Sequence, residues 1–207
     1  MSNKYLNEFY KLRCHKDILN IISPVLSLEK EITEGYSILK IIRKIITNNP
    51  AQKFQIVDLC AGNAIGSILS LFIYQPIEFV YAIDKIERIR KWNLIKNFSY
   101  IFLDIYSDKI YDYIKDNTIL ISIHPCRELA RRIIQIYKES KSSNLILIPC
   151  CDSKINIENN NPLKFLKSTL STYEFWCYIL AAEINGKMKK DKHILSPKNI
   201  IIWGTKN

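Results

Sequence analysis

The sequence predicts an α/β protein: a mostly parallel sheet covered by helices on both faces. Three observations predict it. From residue 54 onward, short β-branched runs alternate with longer amphipathic ones. The first three of these runs lead into the acids Asp58, Asp84 and Asp104. The first fifty residues carry helical apolar spacing and no strand alternation.

Taken in order, the N-terminal segment reads as two or three helices, interrupted near Ser23–Pro24 and again at Gly35, and ending at the Asn48–Pro50 turn. Strands are expected at Gln55–Leu59, Phe79–Ile83, Tyr100–Leu103, Thr118–Ile123, Asn144–Ile148 and Asn199–Gly204. Helices are expected at Ile65–Tyr74, Ile86–Asn97, Cys126–Ser140 and Lys167–Ile184. The Asn-rich stretch at 152–165 reads as a polar loop. The organisation expected is a helical extension over 1–50 and one sheet domain over 51–207.

The 207 residues carry 30 Lys and Arg against 20 Asp and Glu, a formal net charge of +10. Basic clusters include Lys85, Arg88, Arg90 and Lys91; Arg127, Arg131 and Arg132; and the run at 187–192. Such a balance suits a phosphate-rich partner, although abundant Ile, Lys and Asn also give the charge a purely compositional source. No apolar run reaches the roughly 18 residues of a membrane span, and the N-terminus lacks a secretory apolar core. The expectation is an intracellular protein without a membrane partner, of the cytoplasm or an organelle. The six cysteines form no C-x-x-C pair, so no metal site is read from spacing.

In a parallel sheet the ligand sits beyond the carboxyl ends of the strands. There the first strand opens into "DLCAGNAIG" (58–66). No G-K-[ST] follows, and only Gly62 and Gly66 are glycines, so neither phosphate-binding fingerprint is present. An acid at the strand end repels a pyrophosphate and attracts a cationic ligand group. Asp84 is placed to accept hydrogen bonds from ribose hydroxyls, and Asp104 from an adenine amine. Together they describe a ligand with an amine, a ribose and an adenine.

On these residues, Phe54–Ile105 resembles the cofactor half of class I S-adenosylmethionine-dependent methyltransferases. D-x-C-A-G-x-A is similar to that family's D-x-G-x-G-x-G, with Cys60 and Ala64 at two glycine positions. "ISIHPCRELARRII" (121–134), "LILIPCCDSK" (145–154) and the segment 191–206 resemble a subgroup with H-x-C and P-C-C strand ends, which includes tRNA 2′-O-methyltransferases. The resemblance implies a Rossmann-like, doubly wound, seven-stranded sheet with N-terminal helices, and S-adenosylmethionine as cofactor. It places the cofactor against Asp58, Cys60, Ala61, Gly62 and Asn63, then Asp84 and Lys85, then Asp104 and Ile105.

His124 is the candidate catalytic base, and Cys126, Arg127, Cys150 and Asp152 are candidate substrate contacts; Ser153 and Lys154 adjoin them. Cys60, His124, Cys126, Cys150 and Cys151 are expected at one rim, where small packing fillers, a substrate mouth and a metal site are ranked in that order. RNA is the expected substrate. A weakly catalytic RNA- or assembly-binding module stands as the alternative, motivated by Ala64 and by the absence of an NPPY-type motif. A protein or small-molecule methyltransferase is the third option.

Overall fold

The structure is a computed structural model and describes residues 3–153 and 160–206. Three helices come first: α1 (Lys4–Tyr10), α2 (His15–Ile22) and α3 (Leu28–Asn48). There follow β1 (Phe54–Leu59), α4 (Ile65–Ile73), β2 (Ile77–Asp84), β3 (Phe98–Phe102), β4 (Thr118–Ile123), α5 (Glu128–Glu139) and β5 (Asn144–Ile148). The chain ends with α6 (Asn161–Thr169), α7 (Thr172–Glu183), β6 (Lys187–Lys190) and β7 (Ile200–Thr205).

The seven strands form one sheet in the order β3-β2-β1-β4-β5-β7-β6. The first five are mutually parallel, and β7 runs antiparallel to both β5 and β6. β1 lies between β2 and β4, so the strand order reverses there and a crevice opens at the carboxyl ends.

Side chains along each strand alternate between two apolar layers. Ile56, Ile119, Ile121, Ile146 and Ile148 pack with residues of α1–α4. Val57, Leu59, Leu120, Leu145 and Leu147 pack with residues of α5 and α7. The N-terminal helices thus share a core with the sheet. Among the described residues, no helix is long and apolar enough to cross a membrane.

Four expectations are corrected. Ile86–Asn97 is not a helix but an irregular segment with one short 3-10 turn at Trp92–Leu94. Its apolar residues do not share one buried face: Ile86 and Ile89 are 61% and 87% exposed, while Ile95 joins the core. Trp92 instead stacks on Tyr100 (4.9 Å, 5°), and Arg90 reaches the Pro24 carbonyl (3.0 Å). Lys167–Ile184 is two helices: Ser171 and Glu174 form a reciprocal cap that starts α7 afresh. The charged run at 187–192 contains an edge strand, fully exposed over Lys187–Lys190; lysines keep such an edge from pairing with other chains.

Gly35 does not interrupt α3; it lets α3 press against α4. A Cβ at Gly35 would meet Gly66 Cα and Leu69 Cδ1, each at 3.1 Å. Gly35→Leu is therefore expected to destabilise the chain by about 2 kcal/mol or more, although leucine is the better helix former by about 1 kcal/mol. A lower urea midpoint is the expected reading, and an unchanged or higher one contradicts this close approach.

Candidate active site at the carboxyl rim

The turn after β1 takes a left-handed conformation at Cys60, Gly62 and Ala64, with φ of 57°, 55° and 52°. Glycine suits all three positions, and a side chain at each costs roughly 1–2 kcal/mol. Ala64 ends in the apolar core, 2% exposed, as the residue that opens α4. Gly62 is the open point of the turn, with nothing within 4 Å of where a Cβ would lie.

The three acids are held in different ways. Asp58 is 2% exposed, and Ser67 Oγ lies 2.7 Å from its Oδ2. Burial pushes its carboxyl up to about 8, and the charge of Asp84 adds to the push while the Ser67 bond opposes it. Asp84 accepts two backbone N–H groups, from Gly62 at Oδ2 and from Ile86 at Oδ1, both at 2.8 Å. Asp104 pairs with Lys85 at 2.9 Å. The Tyr106 N–H and Lys85 together hold its carboxyl below the usual range. Ile105 points elsewhere: it is 2% exposed and packs in the layer beneath α5 and α7.

A cavity of about 190 Å³ lies over the turn, bounded by Asp58, Cys60, Ala61, Gly62 and Asn63 on one side and by Lys30, Glu31 and Glu34 of α3 on the other. Asn63 Nδ2 donates to both Glu31 oxygens (3.1 Å each), and Arg90 donates to Asn63 Oδ1 (3.2 Å). The start of α3 thus forms a roof. Burial raises the Glu31 carboxyl above its ordinary range, and pushes the Cys60 thiol up to about 12. Tyr100 donates to the Gly62 carbonyl at 3.0 Å and braces the turn from β3.

His124 ends β4 in a left-handed conformation (φ 62°) and borders the same cavity. Its Nε2 lies 2.6 Å from Oε1 of Glu34, which is 1% exposed. Among the described residues, His124 Nδ1 and Glu34 Oε2 are buried without a partner. Sequence reasoning missed Glu34. The available signal was Gly35: where a glycine brings two helices together, the next residue is drawn inside with it.

The five residues expected at one rim separate into two groups. Cys60 and the His124 ring face the acidic cavity. Cys126, Cys150 and Cys151 gather with their sulfurs 2.8, 3.4 and 3.6 Å apart, beside the His124 carbonyl, to which Cys150 and Cys126 donate at 3.3 and 3.8 Å. Arg127 and Asp152 line a neighbouring cleft of about 590 Å³ together with Glu128, Ser153 and Lys167. Lys154 lies outside the described residues. Arg131 and Arg132 are half-buried, Arg131 over the Trp176 ring (5.3 Å) and Arg132 bonded to the Ile105 carbonyl. Trp176 is fully buried, so it packs the core and does not offer a stacking surface.

A protein-family model described as "Methyltransferase domain" matches residues 30–158, more than half of the chain. The chain therefore belongs to that family, and its sheet is that of class I S-adenosylmethionine-dependent methyltransferases. The match begins inside α3 and so includes Glu31 and Glu34.

Among solved structures, the chain is similar to the magnesium protoporphyrin IX methyltransferase (ChlM) of Synechocystis PCC 6803 with bound SAH. Identity is 11%, coverage 99% of this chain and 96% of that one, and the TM-score 0.51. It is also similar to the methyltransferase domain of bacterial CtHen1-CN: 13% identity, coverage 81% and 96%, TM-score 0.50. At these identities the likeness is one of fold. No curated protein matches the chain in sequence.

Proposed function

We propose that the chain is an S-adenosylmethionine-dependent methyltransferase acting on RNA. The observation that carries the cofactor is the donor set of the cavity. Asp58 and the unpartnered Oε2 of Glu34 suit an ammonium and a nearby sulfonium. Asp84, beside the open Gly62, suits the ribose hydroxyls. Asp104 suits the adenine amine once Lys85 turns aside, and Lys30 and Arg88 border the cavity as partners for the carboxylate. The enclosed space is smaller than the roughly 300 Å³ of ordinary small-molecule sites, so the Glu31–Asn63 bridge has to part for the whole cofactor to enter.

When bound, S-adenosylmethionine supplies an electrophilic methyl group, and the protein's task is positioning. His124 takes the acceptor's proton. With Nε2–H donated to Glu34 Oε1, the ring is fixed in the tautomer that leaves Nδ1 bare. Glu34 is then a positioning residue, keeping that tautomer in place.

RNA is supported by the net charge of +10 and by the setting of the cavity. Lys85 and Arg127, which follow β2 and β4, are exposed, and Phe102 and Tyr106 at the end of β3 are 67% and 55% exposed, available for stacking on bases. The narrow, bridged cavity favours the non-catalytic module as second reading.

Titration calorimetry with S-adenosylmethionine, against NAD as control, followed by transfer of labelled methyl groups to RNA at low salt, separates the readings. Selective binding and transfer, with transfer lost in His124→Ala while affinity stays within a few-fold, is the expected result. RNA binding indifferent to cofactor leaves the module. Cofactor binding without RNA affinity at low salt, where phosphate contacts are strongest, points to another substrate class.

A further inference from the structure

We infer that Cys126, Cys150 and Cys151 form a binding site for a thiophilic metal ion of the zinc class. The three sulfurs come from two separate loops, after β4 and after β5, and all lie within 4.8 Å of one another. Nothing in local sequence spacing brings them together; the β4–β5 pairing does. A parallel backbone bridge between Cys126 and Cys151 locks the two loops in register. Cys126 is bracketed by His124 and Arg127, both non-glycine residues at positive φ (62° and 45°). Strain of this kind persists where surrounding structure holds a loop to a purpose.

Cys126 is exposed, so filling the core is not its role. As thiols, Cys126 and Cys150 reach the His124 carbonyl at 3.8 and 3.3 Å, weak bonds beside what three thiolates sharing one cation gain. A tetrahedral ion with metal–sulfur bonds of about 2.3 Å sets its sulfurs about 3.8 Å apart. The pairs at 3.4 and 3.6 Å are already near that value, and the short pair has to open by about 1 Å.

Binding replaces three S–H bonds by three metal–sulfur bonds and releases three protons to solvent. Three thiolates around a divalent ion leave one negative charge, which the exposed Arg127 next to Cys126 offsets. No fourth protein donor joins the cluster among the described residues, and the exposure of Cys126 leaves the remaining position open to water or to a substrate atom.

The test uses the full chain, kept reduced and freed of metal, titrated with cobalt(II) and then with zinc. The expected result is one cobalt per chain, with thiolate charge-transfer absorption and the intense visible bands of a four-coordinate site, displaced by zinc. Cys126→Ser, Cys150→Ser and Cys151→Ser should each abolish the charge-transfer band. Each should also weaken zinc by more than the roughly 10- to 100-fold that an outer-shell partner costs. Cys14→Ser, remote from the cluster, should leave both unchanged, and circular dichroism confirms that each variant is folded. Absence of the band in the reduced, folded protein overturns the inference, as does a band that survives all three substitutions. Isolation of a Cys126–Cys150 disulfide that resists reduction overturns it as well.

Discussion

Asp84→Ala is expected to abolish cofactor binding and to loosen the turn that forms the site. The two effects share a cause. Each oxygen of Asp84 accepts a backbone N–H at 2.8 Å, one from Gly62 in the first loop and one from Ile86 in the second. The carboxylate ties the loops after β1 and β2 together at the place proposed for the ribose. Hydrogen bonds to a charged acceptor contribute about 1.5–3 kcal/mol each when partly shielded from water. Removing both should lower stability by about 3 kcal/mol or more, and the affinity should fall at least 100-fold, about 2.7 kcal/mol.

Asp84→Asn separates shape from charge. It keeps the size of the side chain, but its NH₂ turns a donor toward one of the two N–H groups. A folded Asn variant that loses affinity therefore attributes binding to the carboxylate and not to collapse of the turn. Calorimetry and urea unfolding on both variants supply the readings. Affinity equal to that of the unaltered protein in either variant removes Asp84 from the site.

What was legible in the sequence followed from burial. "TILISI" and "NLILI" are apolar on both faces because they form central strands between two helical layers, and both strands are found where they were expected. The three acids at the strand ends were legible for the same reason, since a charge directly after such a run has to face the rim. Ile86–Asn97 misled because only Trp92 and Ile95 of its apolar residues reach the core; Trp92 stacks on Tyr100 and Arg90 reaches Pro24 in an irregular path. The strand Lys187–Lys190 was hidden by its edge position, where all four side chains face solvent.

The pairings across the chain were the least accessible. Glu34 meets His124 across 90 residues, and Cys126 meets Cys150 across 24. No local pattern encodes either contact; the first depends on the packing of α3 against α4 at Gly35 and Gly66, the second on the pairing of β4 with β5. Spacing alone holds no information about a triangle of sulfurs closed by sheet register.

Asp58→Asn should make the protein more stable while removing its cofactor site. The folded chain keeps the Asp58 proton up to about pH 8, against an ordinary value of 3.8. Between these values the unfolded chain has lost the proton and the folded chain still holds it, so stability falls as pH rises from about 4 to about 8 and levels off beyond. Ser67 Oγ donates toward Asp58 Oδ2 (2.7 Å) and also lies 2.9 Å from the Ala64 carbonyl; this bond favours the ionised form, and burial outweighs it. Asparagine keeps the size of the side chain and is neutral at all pH values. The variant should match the unaltered protein near pH 4 and exceed it by a margin that grows as pH rises toward 8, read by urea unfolding at both pH values.

A cationic ligand reverses the preference. An ammonium beside Asp58 favours the ionised carboxylate, so binding at pH 7 should expel a proton, and the measured enthalpy should change with the ionisation enthalpy of the buffer. Calorimetry in phosphate and in Tris reads this directly. The Asn variant should lose the affinity and the proton together, which ties the instability of the free protein to the charge that the cofactor neutralises. Equal enthalpies in the two buffers, or an Asn variant that binds as well as the original, would place the ammonium away from Asp58 and leave Glu34 as the remaining buried carboxylate to receive it.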